Sequence, residues 1–130
     1  MTGRPSAPVR VLIADDHRLF AEALQAILST EERITVVGRA ADGFEAVELA
    51  RTLRPDVVAL DLNMPVMDGF EAAAALEQLE WPPAVLILTG SSSPQDIDRA
   101  RRAGVKGYVT KDSIAASLVE AILAAAGPMS

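Results

Sequence analysis

The sequence predicts a doubly wound α/β domain built on a parallel sheet of five strands. Two observations predict it. Short apolar runs alternate with longer amphipathic ones five times along the chain, the order that right-handed β-α-β crossovers require. Three of the short runs are also nearly continuous in Val, Ile, Leu and Ala. Strands covered on both faces read that way, whereas strands with one wet face alternate.

The apolar runs are Val9–Ala14, Ile34–Ala40, Asp56–Leu60, Ala84–Thr89 and Lys106–Thr110. A first helix follows from Leu19, Phe20, Ala23, Leu24, Ile27 and Leu28, which keep the i, i+3/i+4 spacing of one buried stripe. The second follows the Asp42-Gly43 turn and carries Phe44, Val47, Leu49, Ala50 and Leu53. It stops before Pro55, because a residue preceding proline avoids the α region. The third follows Asp68-Gly69, includes residues 71–80 and is closed by Pro82-Pro83. Ser93 and Pro94 suit the N-cap and first position of the fourth, with Asp96 as a short capping-box acid and Gly104 as its stop. The fifth, Ser113–Ala126, is rich in Ala and ends at Gly127-Pro128. Residues 1–8 read as a frayed leader, 9–126 as one domain and 127–130 as a tail.

At 130 residues the chain is one domain's worth, able to bury roughly two-thirds of its unfolded surface. Half of it is apolar and 23% is charged, which excludes a disordered chain. With 18 Asp+Glu against 12 Lys+Arg the formal charge is −6, so the chain is not built to grip nucleic acid by itself. The absence of Cys excludes a disulfide framework and thiolate metal or redox sites. No apolar stretch reaches the roughly 18 residues of a membrane span, and Met1–Arg10 lacks the apolar core of a signal peptide. A cytoplasmic domain is expected.

In a doubly wound sheet, ligands sit at the carboxyl ends of the strands. There the sequence puts Asp15-Asp16 after the first strand, Asp61 after the third, Thr89 at the end of the fourth and Lys111 after the fifth. Carboxylates about 5 Å apart repel by roughly 3 kcal/mol per pair at an effective dielectric of about 20. Protonation, Lys111 or a divalent cation must offset that, and only a cation addresses all three acids. Oxygen-only donors favour a hard ion such as Mg²⁺. N-capping is the competing use of Asp15-Asp16, although one aspartate suffices for a cap. Asp61 has no such alternative: it lies between a buried run and another Leu, where an unpaired carboxylate is expensive. A carboxylate beside a cation and a Lys is equipped to accept a phosphoryl group, a transfer that needs positioning and charge neutralisation above all. Thr89 could then donate a hydrogen bond to that group.

These residues carry a family pattern. From Val9 to about Ala126 the chain resembles the receiver domain of bacterial two-component response regulators, with Asp61–Phe70 (DLNMPVMDGF) similar to that family's phosphorylation loop. ADDHRLF near the start and GVKGYVTKDS near the end are similar to the NarL/FixJ (LuxR-type) group. The resemblance implies a (βα)5 flavodoxin-like, CheY-like fold with strand order 2-1-3-4-5. It implies that Asp61 accepts a phosphoryl group from a sensor histidine kinase, and that Asp15, Asp16, Asp61 and the backbone carbonyl of Asn63 hold Mg²⁺. Lys111 would pair with the acyl phosphate, Thr89 and Tyr108 would form the switch pair, and Asn63 and Ser91 would tune hydrolysis. Gly90 leaves the phosphoryl group room. Mg²⁺-dependent self-phosphorylation and slow autodephosphorylation, and no other enzyme activity, are expected. Lys111 is followed by Asp112 where many receivers have Pro, so no proline favours a cis bond there. The group usually continues into a helix-turn-helix domain, so residues 127–130 are expected to start a linker to a DNA-binding domain that this chain lacks.

Phosphorylation would draw Thr89 inward, let Tyr108 turn from exposed to buried, and reshape the face of the fourth helix, fifth strand and fifth helix. Homodimerisation through the first and fifth helices is the expected output, because the last helix has few charges to keep its outer face wet. Arg99, Arg101 and Arg102 read as a solvated helix end, His17 as an exposed residue near a helix start, Met64 and Met67 as loop packing, and Trp81 as cover for the sheet edge. Two other functions fit parts of the pattern. A haloacid-dehalogenase-like phosphatase needs a general acid two residues past its nucleophile, where Asn63 stands. A phosphorylation-independent receiver would act purely as an interaction module.

Overall fold

The computed structural model describes residues 7–62, 64, 66–90 and 94–127. Its elements run β1 (Val9–Ala14), α1 (Arg18–Ser29), β2 (Ile34–Ala40), α2 (Gly43–Leu53), β3 (Val57–Asp61), α3 (Gly69–Glu77), β4 (Ala84–Thr89), α4 (Pro94–Arg102), β5 (Gly107–Thr110) and α5 (Ile114–Ala126). A single 3-10 turn, Lys111–Ser113, joins β5 to α5. The strands form one parallel sheet in the order β2-β1-β3-β4-β5, as the resemblance implies.

Two apolar layers follow from the two-residue alternation of side chains along each strand. Val9, Val11 and Ile13 of β1, Val57 and Ala59 of β3, and Leu86 and Leu88 of β4 pack with Leu24 and Leu28 of α1 and Leu118 and Ile122 of α5. The alternate residues, Leu12, Val58, Leu60, Val85 and Ile87, pack with α2, α3 and Ala100 of α4. Because both faces of the interior strands β1, β3 and β4 are covered, they need almost no polar positions before their ends. That is why the sequence shows unbroken apolar runs.

Several boundaries differ from the sequence reading. β3 runs one residue further, so Asp61 belongs to the strand itself and pairs with Leu88. β5 starts at Gly107, one residue later than read. α3 ends at Glu77 rather than continuing to residue 80, its last turn closing through Gln78 N–H donated to Ala75 O at 3.1 Å. In α1 the buried stripe is Ala21, Leu24 and Leu28, with Leu19 80% exposed and Ala23 exposed. At about 100° per residue Leu19 stands opposite the Ala21–Leu24–Leu28 stripe and Ala23 lies well off it. Phe44 is also exposed, at the second position of α2.

The helix ends obey local chemistry. Asp42 and Asp68 cap α2 and α3, each accepting from the backbone N–H three residues on, at 2.8 and 2.9 Å. At α3 the Glu71 side chain returns the bond to Asp68 N–H at 3.0 Å, a complete capping box. α4 closes on Gly104 at φ +79, with Gly104 N–H donated to Arg101 O and Val105 N–H to Ala100 O. Ser93, expected to cap α4, lies outside the described residues. No cis peptide occurs among the described residues.

Between α1 and β2, Glu31 accepts from Arg33 Nε at 2.8 Å and from Arg33 N–H at 3.1 Å. These bonds hold the Glu31 carboxyl well below the usual range, at about 2. A folded-state value below the unfolded one means that the pair stabilises the fold above pH about 4.5 and that this contribution fades as pH falls toward 2. An NMR titration of the Glu31 side-chain carboxyl is expected to show its midpoint near 2, returning to ordinary carboxylate values in Arg33→Ala. A midpoint already ordinary in the wild type would remove the pair from the structure.

Candidate phosphoacceptor site

The register of the sheet builds the site. Ala14 of β1 pairs with Leu60 of β3, so Asp15 and Asp61 stand side by side at the rim. Both are buried, whereas Asp16 is partly exposed at the edge of the nest. Alternation points Asp15 and Asp61 to the same side of the sheet as Ile13 and Ala59, toward α1 and α5. Lys111, at the start of the 3-10 turn, reaches them from β5: its Nζ lies 3.2 Å from Asp61 Oδ1 and 3.5 Å from Asp15 Oδ2. The Phe20 ring of α1 supports the ammonium from the other side, 4.5 Å from the ring centroid.

Asp15 does not cap α1. The cap position is His17, and Asp15 Oδ1 accepts the His17 backbone N–H at 2.8 Å. His17 is exposed, as read, but its ring is not idle. Nδ1 lies 3.2 Å from Asp15 Oδ1, 3.3 Å from Asp16 Oδ1 and 3.8 Å from Asp61 Oδ2. The sequence signal that could have found it is its place directly after two aspartates at a strand end.

The loop after β3 is tightly built. Leu62 N–H donates to Leu88 O and Gly69 N–H to Leu62 O, both at 2.9 Å. A Cβ at Gly69 would stand 2.8 Å from Asp61 O and 2.9 Å from Leu62 Cα, and one at Gly43 would press on Met67 O. The two Asp-Gly pairs thus combine a helix cap with a residue small enough to let the acceptor loop lie against it. Met64 is buried and Met67 half-buried, the packing role read from sequence. Val66 is 84% exposed at φ 71, a left-handed conformation that costs a β-branched residue on the order of 1–3 kcal/mol. Asn63 lies outside the described residues.

Thr89 is buried as the last residue of β4, and Tyr108 is half-buried in β5, packed with the α2–α4 layer. Alternation puts Thr89 on that layer too, continuing Val85 and Ile87. A Cβ at Gly90 would meet nothing within 4 Å, so the space beside Thr89 is open. Ser91 lies outside the described residues. Two residues read as incidental have partners. Arg99 is not merely solvated: its guanidinium stacks 4.0 Å from the centroid of the Phe70 ring. Trp81 meets Arg54 at 5.1 Å rather than covering a sheet edge, β4 being an interior strand. Arg102 pairs with Asp98 at 2.7 Å.

Whether a divalent cation fits can be judged from the donors alone. Asp15 Oδ2 is buried and accepts no hydrogen bond, with Lys111 as its nearby cation. Asp15, Asp16, His17 and Asp61 each offer a ligand atom, all within 4.8 Å of one another. One ammonium faces three carboxylates, so the donor set suits a hard divalent ion.

A parallel sheet with an acid nest and a lysine at its carboxyl rim defines a phosphoacceptor-type signalling domain. Residues 11–123 match the response regulator receiver domain, and the chain belongs to that family. It is 41% identical over 115 residues to the probable transcriptional regulatory protein NarL of Mycobacterium tuberculosis H37Rv, covering 88% of this chain and 53% of that protein. It is 36% identical over 123 residues to the nitrate/nitrite response regulator NarL of Escherichia coli K12, covering 94% and 57%. The chain therefore spans about half the length of the curated relatives it matches. Among solved structures, the receiver domain of the putative response regulator NarL from M. tuberculosis superposes with a TM-score of 0.88 at 39% identity, covering 94% of this chain and 98% of that one. A CheX–CheY complex from Borrelia burgdorferi containing BeF3 and Mg superposes at 0.83 with 26% identity, covering 90% and 88%.

Three acids gathered at a strand rim repel one another, Lys111 offsets part of that cost, and a bound divalent cation would offset more of it. Asp15→Asn is expected to raise the thermal midpoint in EDTA by a few degrees and to abolish the stabilisation that added Mg²⁺ gives the wild type. Differential scanning calorimetry with and without Mg²⁺ checks both; a variant less stable in EDTA would show that the acids are not in conflict.

Proposed function

We propose that this receiver accepts a phosphoryl group on Asp61 from the phosphohistidine of a sensor histidine kinase. In the transfer an Asp61 carboxylate oxygen bonds to phosphorus as the bond from phosphorus to the donor nitrogen breaks, and the proton balance is left to the donor imidazole. The observation that carries the reading is the pairing of the buried Asp61 and Asp15 with Lys111 at 3.2 and 3.5 Å. Asp15, Asp16, Asp61 and the Asn63 carbonyl would hold Mg²⁺, which supplies charge neutralisation for the phosphoryl oxygens when bound. Lys111 pairs with one of those oxygens, and Thr89 donates its hydroxyl to another. The domain acts as a switch rather than as an enzyme in its own right, with only slow autodephosphorylation, tuned by Asn63 and Ser91.

The added group brings roughly −1.5 to −2 charges to the nest. Drawing Thr89 toward it reshapes the layer in which Tyr108 packs, and so the α4–β5–α5 face. Output is dimerisation through α1 and α5, whose outward positions include Leu19, Ala23 and Ala26 on one helix and Ala115, Ala116 and Ala124 on the other. The regulators that share this domain suggest a cytoplasmic role in transcriptional control, with DNA contacts outside these residues; no described helix is long and apolar enough to cross a membrane.

Incubation with acetyl phosphate and Mg²⁺ is expected to add the mass of one phosphoryl group, absent in Asp61→Asn and in EDTA. No gain in the wild type would leave the chain an interaction module. Sedimentation velocity with and without BeF3⁻ and Mg²⁺ is expected to show monomer passing to dimer, and an unchanged monomer would exclude dimerisation as the output.

A further inference from the structure

We propose that His17 is a fourth side-chain ligand in the acid nest and tunes it toward borderline divalent ions such as Mn²⁺, Co²⁺ and Ni²⁺. The inference rests on the reading of that nest as a cation site. Its basis is the geometry of the ring. His17 Nδ1 stands 3.2, 3.3 and 3.8 Å from oxygens of Asp15, Asp16 and Asp61. Ligands bound at about 2.1 Å in cis positions of an octahedron lie about 3.0 Å apart, and trans pairs roughly 4.2 Å. The shorter separations here are within a few tenths of an ångström of cis spacing, and the widest in the cluster is 4.8 Å. A small contraction of the nest would bring all four atoms onto one ion.

The backbone explains why the ring is there. His17 occupies the N-cap of α1 with extended torsions, φ −91 and ψ 97, and its side chain makes no cap hydrogen bond. A serine or aspartate would serve that position better as a cap. Its backbone N–H is instead tied to Asp15 Oδ1 at 2.8 Å, which fixes the residue beside the acid and turns Nδ1 inward. A second observation concerns Asp15: its side chain is 0% exposed and its Oδ2 accepts no hydrogen bond, with Lys111 Nζ 3.5 Å away as a charge partner. Lys111 closes one side of the nest, while the imidazole is 65% exposed on another and leaves room for waters to complete a coordination sphere.

The ligand type sets the consequence. Mg²⁺ prefers oxygen and holds its waters, so it gains little from an imidazole. Ions later in the first transition row bind nitrogen more strongly, so a neutral imidazole selects them. If the ring served only as a hydrogen-bond donor to Asp15, Nδ1 would keep its proton and no ion would be preferred on its account.

His17 is the only histidine in the chain, so its ring nitrogens can be followed without assignment. Nitrogen-15 NMR of the wild type with Zn²⁺ is expected to show the Nδ1 resonance shifting on binding. Calorimetric titration with Ni²⁺ and with Mg²⁺ is expected to show the preference for Ni²⁺ over Mg²⁺ falling roughly tenfold or more in His17→Ala, because the loss of the ring weakens Ni²⁺ binding more than Mg²⁺ binding. An unmoved Nδ1 resonance, or an equal preference in both proteins, overturns the proposal while leaving the Mg²⁺ reading intact. Failure of Mg²⁺ to bind either protein would instead overturn the cation reading, and this inference with it.

Discussion

Three carboxylates held together at the end of a parallel sheet, with one ammonium among them, are the constraint on which the rest of this domain is arranged. Left to themselves the acids would separate. They cannot, because Asp15 and Asp61 continue adjacent strands whose register is fixed by two buried apolar layers. Lys111 is carried to them by the turn that follows β5, and Phe20 holds its ammonium in place. Gly43 and Gly69, beside the Asp42 and Asp68 caps, leave room for Met67 and for the Asp61–Leu62 backbone at the starts of two helices. The left-handed Val66 belongs to the loop after β3. The positive φ of Val66 and the close approach at Gly69 are departures from local rules beside the nest, where a working site is expected to make them.

The fold was legible because both faces of the sheet are covered. Continuous apolar runs mark the strands and their ends mark the rim, so the sequence alone places Asp15, Asp61, Thr89 and Lys111 there. Other features depend on angles that periodicity does not carry. Leu19 and Ala23 fit i, i+4 spacing, but the stripe that meets the sheet is Ala21, Leu24 and Leu28, and the other two face outward. Arg99 read as solvated because the sequence does not show that Phe70, twenty-nine positions earlier, offers its ring across the α3–α4 boundary. His17 was underrated for a related reason. Its meaning comes from the orientation of a ring at a helix cap, whereas an aspartate at a strand end declares itself by being costly there.

The sheet also separates two tasks. Asp15, Asp61 and Lys111 lean toward the α1–α5 side, while Thr89 and Tyr108 belong to the α2–α4 side. β4 joins them, since Asp61 pairs with Leu88 and the next residue is Thr89. The strand end thus brings Thr89, on the opposite layer, within one residue of the position paired with Asp61.

Charge then dictates the order of events. Lys111 alone cannot balance three acids and a phosphoryl group, so whatever cation the nest holds and the group it accepts must favour one another. Such coupling is reciprocal: if the phosphorylated domain holds a cation more tightly, the cation stabilises the phosphorylated domain by the same factor. A ligand that alters which ion is held, as the His17 ring is placed to do, would alter the stability of the switched state without touching the phosphoryl group at all.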